Sequence, residues 1–325
     1  MQAVIVKDDQ VMAWSKVEKP TAGRGEVLIR VHATAINRAD LMQRRGFYPP
    51  PPGASAIMGL ECAGEIAALG AGVTRWQIGD RVCALLSGGG YAEYAVAPEG
   101  SVLPVPAGLD FVQAAALPEV FATAWLNLFM EAGLQVGEKV ILHAGASGVG
   151  TAAVQLCQVF GNPCFVTAGS ADKVAACLAL GASAGSNRKT EAFFAKASAF
   201  AGPAGIDVIL DPVGGAYLRD NLKLLGMNGR LVLIGLMGGS KAEIELGLLL
   251  MKRLRVIGST LRARPVAEKA AVMAELQARV WPAIERGDIK PIVDQVFGIE
   301  DVNAAHDLVA SDQTFGKVVL SVSPS

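Results

Sequence analysis

Apolar and polar positions keep one rhythm in the first third of this chain and another beyond it. Val27, Ile29, Val31, Ala33 and Ala35 alternate with Leu28, Arg30, His32 and Thr34, which is the period of a half-buried strand. The pattern predicts a strand ending at Asn37, then a short helix over 37–46. That helix is stopped by Gly46 and by the four prolines at 49 to 52. Further short strands are expected at 79–82 and 91–96, separated by Gly88, Gly89 and Gly90, as far as Pro106. This part reads as a mainly antiparallel β domain.

After Asp110 the period lengthens. Helical patterns over 111–117 and 120–132 lead to a strand at 139–143, and short strands at 164–167, 207–210, 230–234 and 255–258 then alternate with helical stretches. Repeated β-α-β crossovers of this kind imply a doubly wound parallel sheet covered on both faces, an α/β fold whose ligands lie at the carboxyl ends of the strands. Helices over 266–286 and 300–310 and a strand at 316–322 close the chain and are expected to rejoin the first domain. The expected division is therefore 1–120 completed by 265–325, with 121–264 as the second domain.

The junction of one strand with the following helix carries the strongest chemical signal. The run Val140-Ile141-Leu142-His143-Ala144-Gly145-Ala146-Ser147-Gly148-Val149-Gly150 puts three glycines between a buried strand and an Ala/Val/Leu-rich helix. Glycines there allow a tight turn, let a diphosphate approach bare backbone and let the helix pack against the strand. The helix N-terminus adds N–H donors and partial positive charge. Strand, loop and helix stand in the order a dinucleotide site requires. At the end of the next strand an NAD site usually places an acid for the ribose 2′-hydroxyl, but this sequence has Gly169 and Ser170. Ser170, Lys173 and Arg188 could surround a 2′-phosphate, which favours NADPH.

Composition narrows the partners. Of 325 residues 52% are hydrophobic and 18% charged, with 29 basic against 30 acidic side chains. A net charge of −1 with no basic, aromatic-interleaved stripe argues against nucleic acid as a partner and points to a small molecule. The uncharged stretch 140–171 is broken by five glycines and Pro163, so it reads as buried core rather than a membrane span. The N-terminus shows no secretory pattern, and the expected location is cytoplasmic. Five cysteines without a Cys-x-x-Cys pair and three scattered histidines predict reduced thiols and no zinc. No tyrosine is followed four residues on by lysine, so no strong proton donor stands out. An electron-poor acceptor, a quinone or an enone, suits such a site. Tyr48, beside the proline run, is the candidate polar contact for it. Asn37 is either a second contact, to the acceptor or the nicotinamide ribose, or a plain helix cap.

Taken together the motifs resemble the zinc-free quinone oxidoreductases of the medium-chain dehydrogenase/reductase superfamily, relatives of zeta-crystallin. The likeness rests on 37–44, the Tyr48 loop, Gly59-Leu60-Glu61, Gly79-Asp80-Arg81-Val82, 144–150, Asp211-Pro212-Val213-Gly214-Gly215, Gly235-Leu236-Met237-Gly238-Gly239 and Gly316-Lys317-Val318-Val319-Leu320. Zinc-dependent cousins carry Cys and His where this chain has Asn37 and Leu60. The resemblance implies a GroES-like domain, a Rossmann domain and NADPH-dependent reduction of quinones. Carried over by position, Ser147, Gly148, Val149 and Gly150 match diphosphate binders, and Ser170 and Lys173 match the 2′-phosphate site. Relatives often have tyrosine where Arg188 stands. Asn37, Tyr48, Thr123, Leu236, Met237, Ser259 and Leu261 match positions lining the nicotinamide and acceptor pocket. The family also pairs its Rossmann domains through an edge strand, here 255–259, which implies a homodimer. Two alternatives remain at this point: reduction of α,β-unsaturated carbonyl compounds on the same fold, and an NADPH-binding protein used for RNA binding or structural packing.

Overall fold

The computed structural model describes residues 1–7 and 10–322. The chain divides into two compact units, one of 1–122 with 261–325 and one of 123–260. Its strands, in chain order, are β1 (Gln2–Val6), β2 (Met12–Lys16), β3 (Glu26–Ala35), β4 (Glu61–Leu69), β5 (Arg81–Leu85), β6 (Tyr94–Pro98) and β7 (Val102–Pro104). There follow β8 (Val140–Leu142), β9 (Cys164–Ala168), β10 (Ala184–Asn187), β11 (Ile206–Asp211), β12 (Leu225–Leu233), β13 (Arg255–Gly258), β14 (Val293–Gly298) and β15 (Lys317–Ser321).

In the first unit β14-β15-β3-β4-β5-β7 form one sheet, with β6 also paired to β3, and β1 and β2 form a hairpin. Every pairing is antiparallel except β14 with β15, so the domain is mainly antiparallel, as its alternating pattern implied. Strand β3 is not half-buried, however: Leu28 and Thr34 are buried along with Val27, Ile29 and Val31. Its second face is covered by the helix Phe111–Ala115, whose Phe111 ring stacks on His32 with centroids 4.5 Å apart. Among the described residues, apolar clusters fill this unit. Ile29, Ile66, Trp76 and Val82 anchor one, and Ile36, Leu41, Met58, Val302 and Leu320 another. The C-terminal strand thus completes the N-terminal sheet through Val319 opposite Ala35.

The second unit is a six-stranded sheet in the order β10-β9-β8-β11-β12-β13, parallel throughout. Counted from β8 this is 3-2-1-4-5-6, the doubly wound order, with its switch point between β8 and β11. The centre is apolar, with Ile141, Phe165, Ile209 and Leu231 packed beneath Phe193 and Leu222.

Two helices differ from their sequence patterns. The one expected over 120–132 is α-helical for Pro118–Trp125 and then widens to a π-turn over Leu126–Glu131, where Ala132 N donates to Asn127 O. The side-chain amide of Asn127 takes the carbonyl of Thr123 at 2.7 Å, competing with the ordinary helical ladder. The one expected over 266–286 splits into Val266–Arg279 and Trp281–Glu285. Pro282 has no N–H to carry the ladder across the break. No helix among the described residues is long and apolar enough to cross a membrane.

Candidate active site

Strand β8 delivers the chain into the glycine loop at the switch point. His143 is buried there between Thr167 Oγ1 at 3.1 Å and Asn221 Oδ1 at 2.8 Å, and Asn221 Nδ2 donates to Asp211 Oδ2 at 2.9 Å. Burial pulls the imidazole pKa down and pushes the Asp211 carboxyl up. This network ties three strand ends together and leaves no ring nitrogen of His143 for catalysis. Ala144 follows with φ of +54°, a left-handed conformation that costs a non-glycine residue energy and is met at functional turns.

Gly145 and Gly150 are required by space. A Cβ on Gly145 would lie 2.7 Å from Val166 Cβ, and one on Gly150 would lie 2.4 Å from the carbonyl oxygen of Ala144. Both glycines let the helix Gly148–Val159 press against the strand. Ser147 caps that helix, its Oγ accepting from Gly150 N at 3.0 Å. Gly148 and Val149 therefore present main chain at the positive end of a 12-residue helix, a fitting cradle for a diphosphate.

The end of β9 is the second part. Ser170 caps the helix Ala171–Ala179 and its Oγ accepts from Lys173 N at 3.3 Å. Arg188 leaves the neighbouring β10 with its N–H donating to Ala168 O at 2.9 Å. A Cβ on Gly169 would stand 3.9 Å from Arg188 Nη2 and 3.8 Å from Lys189 Cε. Ser170 and Lys173 thus follow β9, which ends without an acid at 168–170, and Arg188 follows the end of its neighbour β10. Lys189 joins them; the adjacent basic pair was its only sequence signal.

Leu236 and Met237 occupy the loop after β12 and expose 57% and 52% of their surface. Main-chain bonds hold that loop against the one after β11, from Gly238 N to Val213 O at 2.7 Å and from Met237 N to Pro212 O at 3.1 Å. Ser259, just beyond β13, is buried, with its N–H on Leu233 O at 3.0 Å. Thr123 begins this unit, and its carbonyl is the one held by Asn127.

Asn37, Tyr48 and Leu261 belong to the other unit. Asn37 precedes the helix Arg38–Arg44, and its N–H donates to Asp40 Oδ2 at 2.8 Å. Its side chain turns inward: Nδ2 donates to Glu61 Oε1 at 2.9 Å, and Oδ1 accepts from Lys317 Nζ at 2.6 Å. Lys317 and Glu61 form a buried ion pair of 2.8 Å. Burial raises the Asp40 carboxyl to about 6, against the pull of backbone N–H donors and of Lys317.

Tyr48 is half-buried beside Arg262, whose guanidinium carbon lies 5.2 Å from the ring centroid. Arg262 also donates to Tyr48 O, Ser87 O and Gln43 Oε1. Burial and the charge of Glu119 push the phenol of Tyr48 above its ordinary pKa, against the opposing charge of Arg262. The two groups adjoin through Glu119, whose N–H donates to Glu61 Oε2 at 2.9 Å. Leu261 is buried next to Arg262. Sequence reasoning gave no role to Arg262, Glu119, Glu61 or Lys317. The last two stood in recognised motifs, but spacing does not reveal that they meet.

Zinc does not fit these residues. Position 37 offers a carboxamide, position 60 a buried leucine, and the carboxylate of Glu61 is neutralised by an ammonium. Among the described residues no cluster of three or more His, Cys, Asp or Glu side chains could hold a metal. The five cysteines are free and buried, and burial pushes Cys62, Cys83 and Cys177 far towards the inert thiol form.

Residues 23–107 match the alcohol dehydrogenase GroES-like domain and residues 148–275 the zinc-binding dehydrogenase family. The quinone oxidoreductase of Rattus norvegicus is 34% identical over 308 residues, 94% of this chain and 92% of its own. Among solved structures, the Escherichia coli quinone oxidoreductase complexed with NADPH superposes with a TM-score of 0.87 at 26% identity, covering 99% of both chains. The CurK enoyl reductase superposes with 0.86 at 29% identity, again over 99% of both. A parallel sheet in the doubly wound order, a glycine loop closed to any side chain and a relative of this similarity along almost the whole length agree: the chain belongs to the quinone oxidoreductases of the medium-chain dehydrogenase/reductase superfamily.

Proposed function

We propose that this protein is an NADPH-dependent quinone reductase that works without a metal. The similarity to a quinone oxidoreductase along 94% of the chain carries the reading, and the built glycine cradle supports the nicotinamide cofactor. When bound, the reduced nicotinamide supplies a hydride. The chain's own residues bind, orient and shield. The 145–150 loop receives the diphosphate on main chain, while Ser170, Lys173 and Arg188 take the 2′-phosphate, with Lys189 close by. In the 123–260 unit Thr123, Leu236, Met237 and Ser259 line the nicotinamide ring, and in the other unit Leu261 is a candidate for the acceptor. The Tyr48 phenol, protonated at neutral pH like any tyrosine and held more firmly so by burial, donates a hydrogen bond to the acceptor oxygen as negative charge develops there. Asn37 offers its carboxamide to the same region.

The 123–260 unit is the cofactor domain in this scheme. We further infer a homodimer through β13. That strand is an edge, Val256 on it is 36% exposed, and the adjoining helix Leu246–Lys252 exposes Leu246, Leu250 and Met251.

The decisive assay is oxidation of NADPH and of NADH by purified protein with ortho- and para-quinones. Quinone turnover with preference for NADPH is expected; no turnover with any quinone would overturn the proposal. The CurK enoyl reductase likeness supports a second reading, reduction of α,β-unsaturated carbonyl compounds. An enal assayed beside the quinones separates the two by kcat/KM.

A further inference from the structure

We propose that Lys317 is a positioning residue for acceptor reduction, acting with Glu61 to lock the carboxamide of Asn37 in one of its two rotational states. The inference rests on the reading above that Asn37 faces the reacting groups.

An asparagine amide has nearly the same shape after a half-turn about its last bond, and the turn exchanges donor for acceptor. At most surface sites water accepts either state. Here the two ends meet opposite charges. Oδ1 lies 2.6 Å from the ammonium of Lys317, and Nδ2 lies 2.9 Å from the carboxylate of Glu61. A half-turn would press NH2 on NH3+ and oxygen on carboxylate at the same distances, in surroundings where Lys317 and Glu61 side chains are 4% and 0% exposed. Such contacts are hardly screened by solvent.

The lock is itself anchored. Lys317 Nζ donates to Ile36 O at 2.7 Å as well as to Glu61 and Asn37, so its three N–H bonds are all directed. Glu61 Oε2 accepts from Glu119 N at 2.9 Å, fixing the carboxylate plane. The Asn37 backbone is held separately by Asp40 Oδ2. The second N–H of Nδ2 has only a long contact of 3.4 Å to Ala35 O, and Oδ1 keeps one lone pair. The face offered to a ligand therefore has a set polarity, fixed by a cation that arrives on the last strand of the sheet.

A double-mutant cycle tests this. Asn37→Ala, Lys317→Met and the double variant are compared for kcat, KM for NADPH and melting temperature. Lys317→Met leaves Glu61 charged and buried, so Lys317→Met/Glu61→Gln is made as well, with and without Asn37→Ala; it removes both charges and preserves volume. We expect either Lys317 variant to lower kcat roughly tenfold, with KM for NADPH unchanged within about twofold. In the Asn37→Ala background, neither should lower kcat further. Unaltered kcat in both Lys317 variants overturns the inference. So does an equal fractional loss with and without Asn37, which would make Lys317 merely structural. Full activity of Asn37→Ala would instead remove Asn37 from the acceptor site, and the inference with it, leaving quinone reduction itself standing.

Discussion

Gly150→Ala is a severe test of the glycine cradle, because one methyl group meets only main chain. Its Cβ would fall 2.4 Å from Ala144 O and 2.6 Å from both Cα and C of Gly145, where ordinary contact begins near 3.4 Å. No rotamer change can relieve it. Either the helix Gly148–Val159 or the 144–145 turn must move by about 1 Å in a close-packed interior. Overpacking of this kind costs about 1–3 kcal/mol. The displaced atoms carry the diphosphate donors, so NADPH affinity should fall tenfold or more, about 1.4 kcal/mol. Gly247→Ala is the control: it lies in the helix Leu246–Lys252 with nothing within 4 Å of its Cβ position. There the substitution should stabilise by ~0.5–1 kcal/mol and leave binding alone. Calorimetric titration with NADPH and thermal melting read both effects. A Gly150→Ala variant that binds NADPH as tightly as the parent would refute the role given to the loop.

Other perturbations probe separate parts. Lys173→Ala or Arg188→Ala should weaken NADPH by about 1–3 kcal/mol and spare NADH; equal losses in titrations with both cofactors would dismiss the 2′-phosphate site. Tyr48→Phe should reduce kcat with quinone by roughly tenfold with NADPH affinity intact, and steady-state rates that match the parent would remove its hydroxyl from the chemistry. In the 123–260 unit, the Arg230 guanidinium holds Glu138 through two bonds of 2.6 and 2.9 Å and donates to Ala132 O. Arg230→Met should destabilise by ~2–4 kcal/mol, and Arg230→Met/Glu138→Leu should recover much of that in urea unfolding. His306 is buried against the Tyr91 hydroxyl, and burial with the nearby charge of Arg44 lowers its pKa from 6.5 to about 3. It stays neutral in the fold while the unfolded chain takes a proton below pH 6.5, so its contribution is complete above 6.5 and is lost as pH falls towards 3. The loss is on the order of 5 kcal/mol. His306→Gln should flatten that acid limb in stability measured from pH 4 to 7; an unchanged slope would place the titration elsewhere.

What could be read from the sequence follows the range of each interaction. The strand–glycine–helix junction and the strand end at Ser170 are local, so the order of residue types predicts their geometry, and β10 adds Arg188 by one parallel register step. The alternation that marked β3 also predicted a wet face, because nothing in a period-two pattern announces the helix Phe111–Ala115 that lies on it. Asn37 does stand at the start of the helix Arg38–Arg44, a position encoded by the next few residues. Its side chain, however, is claimed by Lys317, 280 positions away. Arg262 likewise reaches Tyr48 across 214 positions. The widened turn at Leu126–Glu131 depends on one amide bonding a carbonyl four residues back, a competition that propensities do not resolve.

The closure of the N-terminal sheet by β15 bears on how this chain can be made. During synthesis the contiguous 123–260 stretch can condense as soon as it emerges, whereas β3 must wait for a neighbour that begins only at Lys317. Until then one margin of an apolar sheet has no permanent companion, a period of exposure to self-association that grows with translation time. Trimming the chain ahead of Lys317 would therefore do more than shorten a tail: the ribosome would release a protein whose β3 never receives its C-terminal companion.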